Sequence, residues 1–145
     1  MHGLQVVEIA HAIQLSLTPV FLLSGIWVFL GVLTNRLGRI VDRARKMEDR
    51  LPAADATEAR SLIEQLGVLE RRARFINVGI TLGTVAALLV ALVVALLFSS
   101  TFIPLQLGTI VGVLFVLSMV SLVAAFVSFL IEVRIAIATL RIGEA

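Results

Sequence analysis

Residues 75–98 read FINVGITLGTVAALLVALVVALLF, a run of 24 side chains without a charge. As an α-helix this run would be about 36 Å long, enough to cross the hydrocarbon core of a bilayer with some tilt. The composition of the chain agrees, since 59% of its 145 residues are hydrophobic and its mean hydropathy is +1.07. Soluble domains contain only about 45–50% apolar residues. The run therefore predicts a membrane-spanning helix.

Apolar stretches of similar length lie on both sides of this run. We expect an all-α membrane protein with three transmembrane helices, in a single membrane domain that covers residues 1–145. The expected spans are about 9–34, 75–98 and 104–131. Between the second and third spans, the segment SSTFIP at 99–104 predicts a tight turn.

The first span contains Thr18-Pro19, a pair typical of a helix N-terminus, where Thr caps the helix and Pro takes its first position. We therefore expect a break at this pair. Residues 4–18 form an amphipathic pattern, and two placements remain open for them. They enter the bilayer as part of a kinked span that begins near Ile9, which we prefer, or they lie along the outer interface.

Residues 35–74 are charged but keep a helical repeat of apolar side chains. Steps of three and four residues connect Leu37, Ile40, Ala44, Met47 and Leu51, and again Ala59, Leu62, Leu66, Leu69, Ala73 and Ile76. Pro52 lies between these two stripes and ends the first helix, while Thr57 is a candidate N-cap for the second. The pattern predicts a cytoplasmic antiparallel helical hairpin, 35–74, between the first two spans.

The positive charges are confined to the hairpin and the C-terminal end. Ten of the twelve Lys and Arg residues fall between positions 36 and 74, and the other two are Arg134 and Arg141. Because cytoplasmic segments carry an excess of Lys and Arg, this distribution predicts an N-terminus outside and a C-terminus in the cytoplasm. Seven acidic residues are interleaved with the basic ones of the hairpin, so we expect no nucleic-acid binding.

Three stretches carry a resemblance to a known family. Residues 35–43 read NRLGRIVDR, residues 18–26 read TPVFLLSGI and residues 70–74 read ERRAR. In these stretches the chain resembles the DUF2721 family of small bacterial integral membrane proteins, and the resemblance covers most of the chain. It implies a multi-pass protein of the bacterial inner membrane with three spans. The family name records an unknown function, so the resemblance implies no substrate and no catalytic residue.

Small side chains recur every fourth residue along the second span. They are Gly79, Gly83, Ala87, Ala91 and Ala95, and Gly108 and Gly112 repeat the spacing on the third span. Small residues let two helix backbones approach closely inside a membrane. This ridge predicts close packing between the second and third spans of one chain, with contact between two chains as the alternative.

A polar face lies near the N-terminus, where Glu8, His11, Gln14 and Thr18 recur at helical spacing. In a homo-oligomer this face would line a water-filled vestibule, and Glu8 with His11 could share a proton or bind an inorganic cation. The simpler interpretation is the solvated side of an interfacial helix. Two ligands alone do not make a metal site.

A basic cluster lies at the base of the predicted hairpin. Its members are Arg36, Arg39, Arg43, Arg71, Arg72 and Arg74. The cluster would form an ion-attracting mouth or an anionic-lipid site, or it would only set the topology and make salt bridges within the hairpin. Asn35, Asn77 and Glu132 lie near the same predicted membrane boundary, and we expect local charge neutralisation of Glu132 near Arg134 or its pairing with an arginine of the hairpin base.

The sequence lacks the patterns that carry catalysis. It has no cysteine, no Gly-rich phosphate loop, no Gly-x-Ser-x-Gly motif and no His-rich motif, so we expect no enzyme, no cofactor and no bound metal. Three helices cannot enclose a conduit, and conduction would need an axis shared by several chains. Two hypotheses follow. One is a homo-oligomeric, channel-like protein with the first helix near a central axis, and the other is a non-conducting structural or accessory subunit that binds another membrane protein.

Overall fold

The computed structural model describes residues 2–104 and 106–144, with side chains described as far as residue 140. It contains three long helices, α1 (His2–Arg50), α2 (Ala56–Ser99) and α3 (Gly108–Glu144), and a 3-10 turn at Leu51–Ala53. The described residues include no β-strand, so the predicted all-α class is confirmed. Each of the three helices is long and apolar enough to cross a membrane.

The helices form two compact units. The first unit consists of Met1–Leu30 and Leu82–Val123, and the second consists of Gly31–Thr81 and Ala124–Ala145. Each helix contributes one segment to each unit. The predicted hairpin, which joins α1 to α2, belongs to the second unit.

The break predicted at Thr18-Pro19 is wrong, because α1 is continuous from His2 to Arg50 and Pro19 lies buried inside it. A proline removes one backbone N–H, and its ring crowds the preceding turn. Apolar helices tolerate this loss because adjacent turns and nearby hydroxyl groups satisfy the freed backbone. The Ser16 hydroxyl donates to Ala12 O at 2.9 Å, whereas the carbonyl that Pro19 leaves without its N–H donor is that of Leu15. Residues 4–18 are therefore the N-terminal part of a long helix and not a separate element.

The segment between α1 and α2 confirms the predicted end of the first helix and corrects the predicted N-cap of the second. α1 ends at Arg50, two residues before Pro52, since proline cannot continue the helix. The cap predicted at Thr57 is wrong, because α2 already begins at Ala56 and Asp55 caps it. The backbone N–H of Glu58 donates to Asp55 Oδ1 at 2.8 Å, which satisfies one of the free donors of the first turn.

The first unit has an apolar core to which all three helices contribute. The buried members are Ile26 of α1, Ala86 and Val90 of α2, and Leu122 of α3. Two hydroxyls of α3 also donate to backbone carbonyls of α2: Ser118 Oγ to Ala86 O at 3.0 Å, and Ser121 Oγ to Leu82 O at 2.7 Å. Such bonds connect helices where water is absent.

In the second unit the apolar stripes of the hairpin are covered. Ile40 of α1 and Leu62, Leu69 and Ile76 of α2 are buried, and every other member of the two stripes is at least half-buried. The steps of three and four residues therefore identified the packed faces of both arms correctly.

The ridge of small residues on α2 is packed at its first members. A Cβ on Gly79 would lie 3.3 Å from Leu33 Cδ1 and 3.5 Å from the carbonyl oxygen of Ala125, so α2 closely approaches both neighbours there. A Cβ on Gly83 would lie 2.9 Å from Leu30 Cδ2. Gly79 thus contacts both α1 and α3, and Gly83 contacts α1, whereas the prediction named only the second and third spans.

Beyond Gly83 the buried face of α2 leaves the predicted ridge. Ala87 is half-buried and Ala91 and Ala95 are exposed, while the core side chains are Ala86, Val90 and Val93. A strict four-residue repeat rotates about 40° per step away from a fixed face, because an α-helix has 3.6 residues per turn. Among the described residues, no atom lies within 4 Å of a Cβ added to Gly108 or Gly112 of α3, so neither glycine makes a close contact with that part of the chain. Their packing against a second chain stays a prediction.

Candidate functional site

A buried carboxylate is the centre of the second unit. Glu132 of α3 has no exposed surface. Its Oε2 accepts from Arg36 of α1, with Nε at 3.0 Å and Nη2 at 2.8 Å, and its Oε1 accepts from Nε of Arg72 of α2 at 3.0 Å. One side chain of α3 is therefore bonded to both other helices, and of the two interpretations of Glu132 the structure shows the pairing with the hairpin base.

The geometry explains how a charge can be buried at this position. Each carboxylate oxygen has its own guanidinium donor, which a buried carboxylate requires if its desolvation is to be offset. The two arginines remain partly exposed, at 33% for Arg36 and 15% for Arg72. The Arg36 guanidinium also lies 5.4 Å from the centre of the Phe129 ring, a cation–π contact that further restricts its orientation.

A small groove of about 180 Å³ adjoins these arginines. It is lined by Arg36, Arg39, Ile40, Arg43, Leu69 and Arg72. Arg39 and Arg43 are exposed, and within the described part of the chain neither makes an ion pair with a carboxylate. The structure thus brings four of the six arginines of the predicted basic cluster to one groove.

The other predicted residues of this region lie outside the groove. Arg71 and Arg74 are exposed, and Arg74 makes only a solvent-accessible pair with Glu70 at 3.6 Å, one helical turn away. Asn35 and Asn77 are also exposed, and the carbonyl oxygen of Asn77 accepts from Thr81 Oγ1 at 3.0 Å. Arg134 is exposed, and the side chain of Arg141 lies outside the described ones.

A second, larger groove of about 470 Å³ belongs to the first unit. It is lined by Val7, Glu8, His11, Ala12 and Leu15 of α1, by Leu97 of α2 and by Ser100 and Thr101 of the following turn. Of the predicted polar face, Glu8 and His11 line this groove, whereas Gln14 and Thr18 are exposed elsewhere on α1. The described residues contain no group of three potential metal ligands.

Sequence reasoning did not identify the hydroxyl side of this groove. Ser100 and Thr101 follow the C-terminus of α2 and face the same space as Glu8 and His11. A signal was present, because the predicted topology assigned the N-terminus and the 99–104 turn to the same side of the membrane. The four polar side chains can together hold water or a small polar solute.

Comparison with known proteins gives a family and no relative of known activity. A family model described as a protein of unknown function (DUF2721) matches residues 16–142 of the chain. No curated protein matches the chain. No solved structure matches it either.

Proposed function

This chain belongs to the DUF2721 family, and since that family has no described activity, we propose a function from the chain's own residues. It is a homo-oligomeric integral membrane protein of the bacterial inner membrane, channel-like, with α1 of each subunit next to a central axis. The N-terminus lies outside, and the C-terminus and the 35–74 hairpin lie in the cytoplasm. Its partners are the lipid bilayer, further copies of itself and an inorganic ion.

The orientation is supported by the distribution of positive charge. All twelve Lys and Arg residues fall in two segments, 36–74 and 134–141, that three crossings bring to one side. Segments rich in Lys and Arg stay in the cytoplasm. The first 35 residues and residues 75–133 carry no Lys or Arg, which fits one outward-facing terminus and one outward-facing turn.

The observation that carries the oligomer is an exposed stripe on α1 with heptad spacing. Its members are His11, Gln14, Thr18, Phe21, Gly25, Val28, Val32, Asn35 and Arg39, and the rest of the chain buries none of them. Alternating steps of three and four residues place them along one side of the helix. Hereafter we call this set the axial stripe. It is polar at both ends and apolar in the middle.

A lipid environment does not suit the axial stripe. Gln14 and Asn35 are 21 residues apart, or about 32 Å of helix, close to the thickness of the hydrocarbon core. Thr18 and Gln14 would then reach the acyl chains at the outer boundary, where polar side chains need a partner or water. Gly25 would gain little from lipid, but it allows two helices to approach closely. Contact with the axial stripes of other subunits would give Gln14 and Thr18 polar partners or water, and it would let two helices pack closely at Gly25.

A neighbouring exposed face of α1 has the opposite character. It contains Ile13, Leu17, Val20 and Trp27. These large apolar side chains suit acyl chains, so the two faces divide α1 into a lipid side and an axial side. Cysteines on the axial side and on the lipid side of the same helix can therefore be compared in one experiment.

Cysteine scanning tests the proposal, because the chain has no natural cysteine. We expect single cysteines at positions 11, 14, 18, 21 and 25 to form disulfides between subunits, and those at 11, 14 and 18 to react with a polar thiol reagent. Cysteines at 13, 17, 20 and 27 should do neither. Native mass spectrometry should give one defined oligomer. A monomer in mild detergent, or equal protection of both series, contradicts the proposal.

The apolar middle of the axial stripe favours one alternative, a non-conducting structural or accessory subunit that binds another membrane protein. Phe21, Val28 and Val32 would form a ring that excludes water if the axis is narrow. Ion flux from liposomes containing the purified oligomer separates the two functions. Flux above that of a Val28→Trp variant, whose larger side chain blocks the axis, supports conduction, and its absence supports the accessory role.

A further inference from the structure

The arginine groove of the second unit carries more positive charge than the fold requires. Four guanidinium groups line it, and one carboxylate, that of Glu132, is bonded to two of them. Three positive charges therefore lack an acidic counterpart among the lining residues and their bonded partner. Like charges this close repel each other, and an anion in the groove would remove that repulsion.

The groove is also organised before any ligand arrives. Glu132 holds Arg36 and Arg72 in place, and Phe129 lies against Arg36. Each of these two arginines keeps further N–H groups, because a guanidinium has five and Glu132 uses only one or two from each. Arg39 and Arg43 lie three and seven residues after Arg36, on the same side of α1.

The shape of the groove selects a compact, partly apolar anion. Its volume of about 180 Å³ is large enough to admit a tetrahedral oxyanion. Planar guanidinium groups bind phosphate oxygens with two parallel hydrogen bonds. Ile40 and Leu69 supply apolar wall next to the arginines, as the glycerol or acyl part of a lipid would need.

We propose that the groove lined by Arg36, Arg39, Arg43 and Arg72 binds a phosphate group, carried by an anionic lipid headgroup or by a soluble phosphate. Arg36 and Arg72 form the fixed side of the site through Glu132, and Arg39 and Arg43 close over the anion from the exposed side. The groove is lined by residues of one chain, and of its four arginines only Arg39 also belongs to the axial stripe, so phosphate binding does not depend on conduction.

The test compares two double variants that remove equal charge from the same helix. R39Q/R43Q removes two cations of the groove and leaves the Glu132 pairs intact. R45Q/K46Q removes two exposed cations that do not line the groove. The full-length proteins are placed in phosphatidylcholine nanodiscs with a minority of phosphatidylglycerol, and the lipids that stay bound are measured by native mass spectrometry.

The wild-type protein should retain phosphatidylglycerol in preference to phosphatidylcholine. This preference should fall by about tenfold or more in R39Q/R43Q, the loss expected when charge-assisted hydrogen bonds to a phosphate are removed, and it should persist in R45Q/K46Q. Equal losses in both variants would mean diffuse surface attraction, and they overturn the proposal.

A second arm distinguishes the source of the phosphate. In detergent without lipid, inorganic phosphate should raise the Tm of the wild-type protein but not of R39Q/R43Q, relative to chloride at the same ionic strength. A Tm shift without lipid preference identifies a soluble phosphate, and lipid preference without a Tm shift identifies a headgroup. Absence of both effects in the wild-type protein overturns the proposal.

A milder variant keeps the test decisive if R39Q/R43Q does not fold. R39K/R43K retains both charges but loses the paired N–H groups of each guanidinium. We expect its preference for phosphatidylglycerol to fall several-fold, while R45K stays at the wild-type value. If R39K/R43K also keeps the wild-type preference, the arginines do not contact the phosphate and the proposal is wrong.

Discussion

The two units hold their buried polar groups in different ways. In the first unit, the neutral hydroxyls of Ser118 and Ser121 donate to backbone carbonyls of α2. In the second unit, the carboxylate of Glu132 accepts from the guanidinium groups of Arg36 and Arg72. A hydroxyl that loses its partner can bond to its own helix, as Ser128 does with Ala124 O at 3.0 Å. A buried charge has no such substitute, so the second unit depends on a complete set of partners.

Helices of similar apolar character can thus be joined by polar bonds that act separately or by polar bonds that depend on one another. Neutral side chain–backbone bonds add small, separable contributions in an apolar medium. A charge cluster is cooperative, because removal of Glu132 leaves two partly exposed arginines without their carboxylate, and removal of either arginine leaves a buried carboxylate with an incomplete set of donors. We therefore expect the second unit to be far more sensitive to single substitutions at its polar residues than the first.

The largest effect should come from Glu132→Gln. The variant leaves Arg36 and Arg72 without a carboxylate and should lower the free energy of unfolding by about 3 kcal/mol, the lower end of the range for a buried ion pair, because both guanidinium groups stay partly exposed. Denaturation in mixed detergent micelles, followed by helical ellipticity, measures it. Glu70→Gln is the control, since the Glu70–Arg74 pair is exposed and should contribute almost nothing. Equal effects of the two variants would remove the distinction between the units.

A smaller effect should follow from Gly83→Leu in the first unit. The side chain would collide with Leu30, whose Cδ2 lies 2.9 Å from the position of an added Cβ. Overpacking of this kind costs about 1–3 kcal/mol, which the same denaturation experiment detects. The control is Gly67→Leu, where nothing lies within 4 Å and leucine improves helix propensity. If both variants are equally stable, close approach at Gly83 does not hold the first unit together.

Asp55→Ala should lower the free energy of unfolding by about 1 kcal/mol, because the first turn of α2 loses the acceptor for the Glu58 N–H. Thr57→Ala should change it little, since Thr57 is exposed inside the first turn. The opposite ranking would restore Thr57 as the cap. Hydrogen exchange of the amides at positions 56–59 localises the effect to the hairpin of the second unit.

The smallest effect should come from Ser118→Ala, at about 0.6 kcal/mol, a typical value for a hydrogen bond between membrane helices. Ser128→Ala should cost less, because the Ser128 hydroxyl bonds only within α3. Paired denaturation curves of the two variants measure the difference. A loss at Ser118 as large as that of Glu132→Gln would refute the view that neutral polar bonds act separately.

Much of the fold could be predicted from local sequence properties. The charge-free run at 75–98, the two hairpin stripes and the end of α1 before Pro52 follow from run length, helical period and the chemistry of proline. The wrong predictions arose where one sequence pattern is compatible with two local structures. Thr18-Pro19 fits a helix start and also the interior of an apolar helix, and Asp55 and Thr57 are both acceptable caps two residues apart.

The candidate sites were harder to predict than the helices. The sequence indicated that Glu132 would meet an arginine of the hairpin base, but six arginines were available there, and nothing in their spacing selected Arg36 and Arg72. Likewise, Glu8 and His11 were recognised as one face of a helix, while their neighbours Ser100 and Thr101 are about 90 residues away. Contacts between distant segments depend on how each helix is rotated about its own axis. The helical repeat within one segment does not specify that rotation.

The sequence by itself determined the three long apolar runs and the apolar stripes of the hairpin, because hydrophobic run length and helical period are properties of neighbouring residues. Only the tertiary structure decided which side chains meet. It selected two arginines for Glu132, placed four around one groove, and packed Gly79 and Gly83 but not Ala91 and Ala95. The physical reason is that three packed helices can bury only one face of each, and the rotation that satisfies all three at once is a property of the assembled structure.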